Sequence, residues 1–376
     1  MHPIQMVDTR RQYIKIKKEV DAAILGVVDS SMFIGGKVVQ EFSENLARYN
    51  GSGHVIPCAN GTDALQIAMM ALDLKPGDEV ITPSFTYIAT AEVIALLRLK
   101  PVFVEVDPET FCIVPEAIEK AITSATRAIV PVHLFGQAAR MEEIMAIAAK
   151  HDLFVIEDNA QSIGSEYMFS DGTVRKTGSI GTIGCTSFYP SKNLGCFGDG
   201  GAIFTNDDAL ALKLKMIANH GQTKRYYHDI VGCNSRLDAI QAAVLNIKLT
   251  RLDEYNAARK NAADFYDKAF AADSRIITPF RATYCKHVFH QYTILVDGRD
   301  RNKLSEFLAG FNIPSMIYYP VPAHKQKMFV GQTGEIFELP VTDSLTERVI
   351  SLPMHTELEP EQLSCITEKI LQFINH

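Results

Sequence analysis

The feature that most constrains this fold is a regular alternation, over the first two-thirds of the chain, of short apolar runs with amphipathic helical stretches. Runs rich in β-branched and aromatic residues are typical of buried strands, and strands that alternate with helices build a mostly parallel sheet. Amphipathic stretches lie at 62–72, 91–99 and 141–151. The apolar runs lie at 54–60, 78–85, 100–107, 127–135, 153–160, 182–190 and 201–206. The pattern predicts a large α/β domain with a mostly parallel, seven-stranded sheet between helices.

The pattern changes after the seventh run. Residues 235–270 have helical periodicity and contain neither Gly nor Pro, so we expect one long helix that bridges two domains. Shorter elements follow at 290–297, 304–311 and 361–374. The sequence therefore predicts a large α/β domain at 1–245, with a helical N-terminal segment, and a smaller α+β domain at 246–376.

Charge and cysteine content limit the kinds of binding partner and the cellular compartment that the sequence predicts. A net charge of −7 provides no basic surface for nucleic acid or an anionic membrane. The most apolar helical stretch, 89–99, is short and carries two charged residues, and the charged N-terminus lacks a secretory signal. Seven cysteines without a CxxC pair, and histidines without metal-ligand spacing, predict a cytoplasmic protein with no metal site.

Four polar loops are expected at the carboxyl edge of the sheet, where open parallel sheets bind ligands. In the first loop, Gly61 permits a tight turn, and the following helix offers free N–H groups and the positive end of its dipole. Thr62 adds a hydroxyl donor. This loop is a candidate phosphate site. The alternative is an ordinary helix cap provided by Thr or Asp.

The second and third loops carry ionisable groups. The acidic pair Glu157–Asp158 ends a buried strand and needs a partner, such as a protonated pyridine nitrogen on Asp158, with Gln161 facing the phenolic oxygen of the same ring. Alternatively, Asp158 caps a helix or binds magnesium. Lys192 follows a later strand in a glycine-rich loop, where burial would lower its pKa and make it nucleophilic. Ser187 could bind the phosphate. Alternatively, Lys192 is an ordinary solvated lysine.

Nine segments occur in an order typical of one protein family. They are MFIGG (32–36), NGTDAL, PSFTYIATA, VIEDNAQ, TSFYPSKNLG, GDGGAIFTND, NHG, GCNSRLDAIQAA and YYPVPAH (318–324). Each is weakly specific alone, but together they span nearly the whole chain. The chain resembles the DegT/DnrJ/EryC1/StrS sugar aminotransferases, pyridoxal-phosphate (PLP) enzymes of fold type I.

The resemblance implies a role for each of these residues. Lys192 resembles the lysine that forms the Schiff base with PLP and shuttles a proton. Asp158 would pair with the pyridinium, and Gln161 would contact the ring oxygen. The phosphate would be bound by the hydroxyls and the amide of three residues, Gly61, Thr62 and Ser187.

Other implied roles concern the neighbouring subunit and the substrate. Asn234 lies in the fourth polar loop, 231–238, and would reach the phosphate of the partner's cofactor in a homodimer with shared active sites; alternatively, it caps the following helix. Tyr87 would place its ring over the cofactor, or else pack on the sheet. Contacts to the substrate are expected from Tyr189, Arg236, Tyr318 and His324.

The resemblance also implies a reaction. L-glutamate would donate its amino group through pyridoxamine phosphate to a nucleotide-linked keto sugar, with ping-pong kinetics. The segments look most similar to the branch that aminates a UDP-linked 3-keto uronate derived from N-acetylglucosamine, in lipopolysaccharide, O-antigen or amino-sugar biosynthesis. Arg236 could bind the uronate, or pair with an acid nearby.

Alternative functions are open at this point. The substrate could instead be a dTDP-linked 3-keto or 4-keto-6-deoxy sugar. A non-catalytic regulator with this fold would be expected to lose Lys192 or Asp158, and deoxygenating relatives have histidine in place of Lys192. A nicotinamide oxidoreductase is disfavoured because no GxGxxG follows the first strand.

Overall fold

The computed structural model describes residues 2–297, 300–330 and 337–375. Its α-helices are α1 Thr9–Ser30, α2 Gly36–Asn50, α3 Gly61–Ala71, α4 Ala89–Leu96, α5 Pro115–Ala121, α6 Met141–His151, α7 Asp208–Ala218, α8 Ala239–Leu249, α9 Leu252–Phe270, α10 Arg301–Ala309, α11 Pro340–Arg348 and α12 Pro360–Ile374. Its strands are β1 His54–Cys58, β2 Glu79–Pro83, β3 Lys100–Val104, β4 Thr126–Ile129, β5 Phe154–Asp158, β6 Glu166–Met168, β7 Val174–Lys176, β8 Ile183–Ser187, β9 Gly201–Thr205, β10 Gln222–Lys224, β11 Tyr227–His228, β12 Ile276–Ile277, β13 Cys285–Lys286, β14 Tyr292–Val296 and β15 Val349–Leu352.

The large sheet contains the seven predicted strands, in the order β1-β9-β8-β5-β4-β2-β3. Strands β8, β5, β4, β2 and β3 pair in parallel, whereas β9 is antiparallel to both β1 and β8. The strands are almost wholly buried because helices cover both faces. The predicted α/β fold is confirmed. The carboxyl ends of β1, β5 and β8 lie at one edge, which brings three of the four polar loops together.

The N-terminal helices pack on the large sheet. Both α1 and α2 contact α8, and Val20 of α1 lies against Val244. Phe42 of α2 packs against Phe188, directly after β8. Residues 2–8, here called the N-terminal strap, instead reach the C-terminal part of the chain, where the Met354 amide donates to the Met6 carbonyl over 3.2 Å.

The C-terminal part has its own hydrophobic core. Strands β12, β14 and β15 form an antiparallel sheet, and α9, α10 and α12 contribute to the core beside it. Tyr266 and Tyr292 are fully buried there, with ring centroids 4.8 Å apart. This arrangement is the smaller α+β unit expected from the sequence. The boundary placed between residues 245 and 246 falls inside α8 and stays a prediction.

The single long helix predicted over 235–270 is wrong. The chain is extended before Ala239, and the helical path breaks between α8 and α9, where Arg251 has φ −113° and ψ 4°. The two helices pack differently, since α8 contacts α1 and α2 whereas α9 contacts α12. Tertiary packing therefore bends the chain at a place where the sequence contains no Gly or Pro.

The carboxylate of Glu157 joins β5 to the segment that precedes β8. It is fully buried and accepts hydrogen bonds from His133 Nε2 (2.8 Å) and from the amides of Gly178 (2.7 Å), Ile180 (2.7 Å) and Gly181 (2.6 Å). Burial alone would raise the pKa of Glu157, but His133 and the amides hold it below its ordinary value. The buried charge is therefore stable in this position.

We expect Glu157→Gln to lower the free energy of unfolding by about 2–4 kcal/mol. The –NH₂ group of the new amide would face N–H groups that donate hydrogen bonds to the carboxylate in the wild type. Urea unfolding at neutral pH measures this, with Glu306→Gln on the exposed face of α10 as the matched control. Because the folded-state pKa is depressed, the advantage of the wild type should shrink as the pH falls below about 4. Equal free energies of unfolding for Glu157→Gln and Glu306→Gln would contradict the prediction.

Candidate active site

The ends of β1 and β8 form a small polar cradle. Helix α3 begins at Gly61, and the Asn60 side chain caps it by accepting from the Asp63 amide over 2.8 Å. A Cβ built on Gly61 would lie 2.7 Å from Ser187 Cβ, so the two chain segments are in contact. Because Asn60 provides the cap, the ordinary-cap alternative does not account for Thr62. The free first amides of α3 and two hydroxyls are available to bind a phosphate.

Asp158, at the end of β5, is buried and oriented by two hydrogen-bond donors. Thr90 Oγ1 donates to its Oδ2 over 2.7 Å, and the Ala160 amide donates to its Oδ1 over 3.1 Å. Neither bond caps a helix, and the described residues contain no group of three or more His, Cys, Asp or Glu that could hold a metal. The sequence analysis did not identify Thr90. The signal that could have identified it is a polar residue on the buried face of the apolar helix α4.

Gln161 is fixed by two hydrogen bonds. Its Oε1 accepts from the Phe135 amide over 2.7 Å, and its Nε2 donates to the Tyr319 hydroxyl over 2.9 Å. Burial raises the pKa of Tyr319. The sequence did not single out Tyr319. Tyr318 lies beside it, with ring centroids 5.8 Å apart, and its contact with the substrate stays a prediction. Tyr87 is 58% exposed, with its ring 6.1 Å from that of Tyr319, which argues against a mere sheet-packing role.

Lys192 lies in the turn that follows β8, where its amide donates to the Tyr189 carbonyl over 2.8 Å. Burial lowers the pKa of Lys192 to about 8, although the negative charge of Asp158 opposes this shift. An ordinary solvated lysine would not show such a change. The structure thus places a weakly basic amine near the carboxylate. Tyr189 is 55% exposed beside them.

The segment around Asn234 lies next to the cradle but faces outward. Ser235 Oγ accepts from the Ala59 amide over 3.0 Å, whereas Asn234 and Arg236 are exposed. Because α8 begins only at Ala239, the interpretation of Asn234 as its cap is wrong. Within the described part of the chain, Arg236 forms no ion pair, so the acidic partner considered as an alternative is not found.

His324 is held inside the protein. Its Nδ1 lies 2.7 Å from Ser84 Oγ, and its Nε2 lies 3.7 Å from an Asp343 carboxylate oxygen. Burial lowers its pKa. These contacts are those of a packing histidine, and its proposed contact with the substrate stays a prediction.

The geometry fits PLP. A lysine amine, a buried carboxylate and a glycine-and-hydroxyl cradle meet at one sheet edge, and each matches one part of the cofactor: the aldehyde, the ring nitrogen and the phosphate. A model of the DegT/DnrJ/EryC1/StrS aminotransferase family matches residues 14–371. The molecule is therefore a PLP-dependent transaminase. The chain belongs to the DegT/DnrJ/EryC1/StrS aminotransferase family.

Three similar proteins show the range within this family. The UDP-2-acetamido-2-deoxy-3-oxo-D-glucuronate aminotransferase of Pseudomonas aeruginosa is 46% identical, covering 96% of this chain and 98% of that protein. A pleiotropic regulatory protein of Geobacillus stearothermophilus is 44% identical, covering 99% of each. A dTDP-3-amino-3,4,6-trideoxy-alpha-D-glucose transaminase of Streptomyces venezuelae is 37% identical, covering 98% and 96%.

Solved structures agree with the fold. The S. venezuelae protein DesV in complex with a ketimine intermediate superimposes with a TM-score of 0.95 at 37% identity, over 100% of both chains. The Bacillus subtilis protein NtdA with bound pyridoxamine phosphate gives a TM-score of 0.92 at 30% identity, over 100% of this chain and 86% of that one.

We expect covalent uptake of PLP by the cofactor-free protein to rise with pH through a midpoint of about 8, because the neutral amine of Lys192 is the nucleophile and burial lowers its pKa to that value. The measurement is the rate of borohydride-trapped pyridoxyl-lysine between pH 6 and 10. Lys192→Ala, the control, should trap no cofactor at this site and should not transaminate. A midpoint near 10 would refute the assignment.

Proposed function

We propose that this aminotransferase moves the amino group of L-glutamate to the keto carbon of a UDP-linked 3-keto uronate derived from N-acetylglucosamine. The observation that carries the catalytic part is the placement of Lys192 and Asp158 beside the Gly61–Ser187 cradle. The relative that is 46% identical over 96% of this chain, named for such a substrate, supports the acceptor. The product would serve the biosynthesis of lipopolysaccharide, O-antigen or another amino-sugar polymer.

The residues of the site act as follows. PLP, when bound, supplies an electron sink that allows the C–H bond beside the amino group to break. Asp158, oriented by Thr90, keeps the proton on the ring nitrogen. Lys192 Nζ, whose lowered pKa leaves it partly neutral near pH 8, would take the proton from the substrate carbon and hold it for the return transfer. The Gly61 amide and the Thr62 and Ser187 hydroxyls would hold the PLP phosphate.

Two other functions have some support. A relative that forms a dTDP-linked amino sugar is 37% identical, so a dTDP-linked acceptor is the second candidate. A regulatory protein is 44% identical. We favour catalysis because a regulator has no need for a half-buried lysine of lowered pKa beside an oriented carboxylate.

We further propose a cytoplasmic homodimer with shared active sites. Asn234 is exposed beside the cradle, where it could face a second subunit, and all seven cysteines are free. Among the described residues, no helix is both long and apolar enough to cross a membrane. Exposed apolar residues at Met32, Phe33 and Ile34 are available for a subunit interface.

Mixing Lys192→Ala subunits with Asn234→Ala subunits should restore activity, because one site of each hybrid dimer then regains both residues. Steady-state transamination after subunit exchange measures the recovery, and each variant alone is the control. Hybrids that are shown to form and yet stay inactive would argue against shared sites.

Arg236→Ala should slow amination of a uronate acceptor far more than of its 6-hydroxymethyl analogue, because a bidentate guanidinium–carboxylate contact is worth about 2–4 kcal/mol when one partner is removed. The glutamate half-reaction should be unaffected. Paired measurements of kcat/KM on UDP-linked 3-keto acceptors test this, with Arg225→Ala on another exposed cation as the control. Equal losses on both acceptors, or a wild-type preference for a dTDP-linked 4-keto sugar, would overturn the uronate proposal.

A further inference from the structure

Residues 288–290, here called the clasp, directly precede β14. They lie against the active-site loop that contains Phe135 and Gly136. The Val288 amide donates to the Gly136 carbonyl over 3.1 Å, and the His290 amide donates to the Phe135 carbonyl over 2.8 Å. Gly136 has φ +102°, and a Cβ there would lie 2.9 Å from the Phe289 amide nitrogen. Since the Phe135 amide also binds Gln161, the clasp is linked to the predicted cofactor contact.

The same clasp binds the residue that follows Lys192. The buried side chain of Asn193 donates from Nδ2 to the Val288 carbonyl (2.9 Å) and to Asn256 Oδ1 (2.7 Å), while its Oδ1 lies 3.3 Å from His290 Nδ1. A backbone carbonyl can only accept, so this contact fixes the orientation of the Asn193 amide. His290 must then carry its proton on Nδ1.

The clasp is itself held by a buried cation. Arg259 Nη1 donates to the carbonyls of Phe289 (3.3 Å), His290 (3.2 Å) and Met354 (3.0 Å). Burial lowers the pKa of Arg259 to about 10, so it remains charged at neutral pH. Burial, together with the charges of Lys192 and Arg259, lowers the pKa of His290 well below its ordinary value. The ring of His290 is therefore neutral and can satisfy Asn193 with one N–H.

We propose that Asn193 is the positioning residue of Lys192, because its amide ties the lysine loop to the clasp and to α9. This inference rests on the proposed function, since it assigns the proton transfer to Lys192. Three hydrogen bonds immobilise the residue adjacent to Lys192, and proton transfer needs the amine within hydrogen-bond reach of the substrate carbon. Loss of these bonds should therefore impair the proton transfer more than the binding of glutamate.

The test is Asn193→Leu, which keeps the number and branching of the side-chain heavy atoms and removes all three bonds. In single-turnover measurements of the glutamate half-reaction, the limiting rate constant of the holoenzyme should fall roughly 10- to 100-fold, as expected for a displaced proton-transfer group. The half-saturating glutamate concentration should stay within about twofold. The kinetic isotope effect with α-deuterated glutamate should rise, because proton transfer becomes more rate-limiting. A merely structural role would not raise the isotope effect.

Asn45→Leu is the matched control, because it removes one amide–amide bond of 2.9 Å to Asn246, between α2 and α8. It should leave the limiting rate constant and the isotope effect unchanged. The inference is overturned if Asn193→Leu behaves like this control. If Asn193→Leu does not fold, Asn256→Ser removes one partner and should give a smaller loss of the limiting rate constant with a raised isotope effect; an unchanged isotope effect overturns the inference.

Failure of the proposed function would look different. Wild-type protein without borohydride-trapped PLP at Lys192 would refute the catalytic assignment before any variant is compared. Wild-type protein that completes the glutamate half-reaction but aminates no UDP-linked 3-keto sugar would refute the proposed acceptor, while the comparison of Asn193→Leu with Asn45→Leu still decides the positioning role.

Discussion

A buried carboxylate that must find all its donors inside the protein organises the carboxyl edge of the large sheet. Glu157 meets this requirement with three amides and one imidazole. The Ala139 amide donates to His133 Nδ1 over 3.1 Å, so the proton of His133 lies on Nε2 and points at Glu157. The His133 amide in turn donates to the Asp158 carbonyl over 3.0 Å. The position of Asp158 therefore depends on the hydrogen bonds that stabilise the charge of the adjacent Glu157, because a buried carboxylate without these donors would be unstable.

The active site is assembled from parts that are far apart in the chain. The sheet provides the cradle, the carboxylate and the lysine at the ends of three strands, and other elements orient each of them. Thr90 comes from α4, Tyr319 from the segment before α11, and Asn193 relies on the clasp before β14. Orientation by buried hydrogen bonds is costly to disrupt, since an unsatisfied buried group loses its solvation without compensation. Such preorganisation suits an amine and a carboxylate that must act without rearranging.

The sequence predicts the sheet and the principal polar residues well, because both leave local signals. Buried parallel strands are short apolar runs. Asp158 lies near the end of one such run, and Lys192 comes shortly after another. Thr90 and Tyr319 were missed because their importance depends on partners that only the tertiary structure brings near. The bend at Arg251 was missed for a related reason: helical propensity is continuous there, and packing alone separates the two helices. The assignments of Arg236 and His324 to the substrate rest on resemblance and stay predictions.

The N-terminal strap has a consequence for how the chain matures during synthesis. Ile4 packs on the core of the C-terminal unit, and Gln362 Nε2 donates to the carbonyls of His2 (3.1 Å) and Pro3 (3.3 Å). The ribosome makes the strap before the large sheet and makes the docking surface of the strap after that sheet, whereas domains generally fold in the order of their synthesis. The strap must therefore wait undocked while the large sheet forms around β1 to β9. Docking of the strap is therefore a late folding step, and it links the folded C-terminal unit to α1.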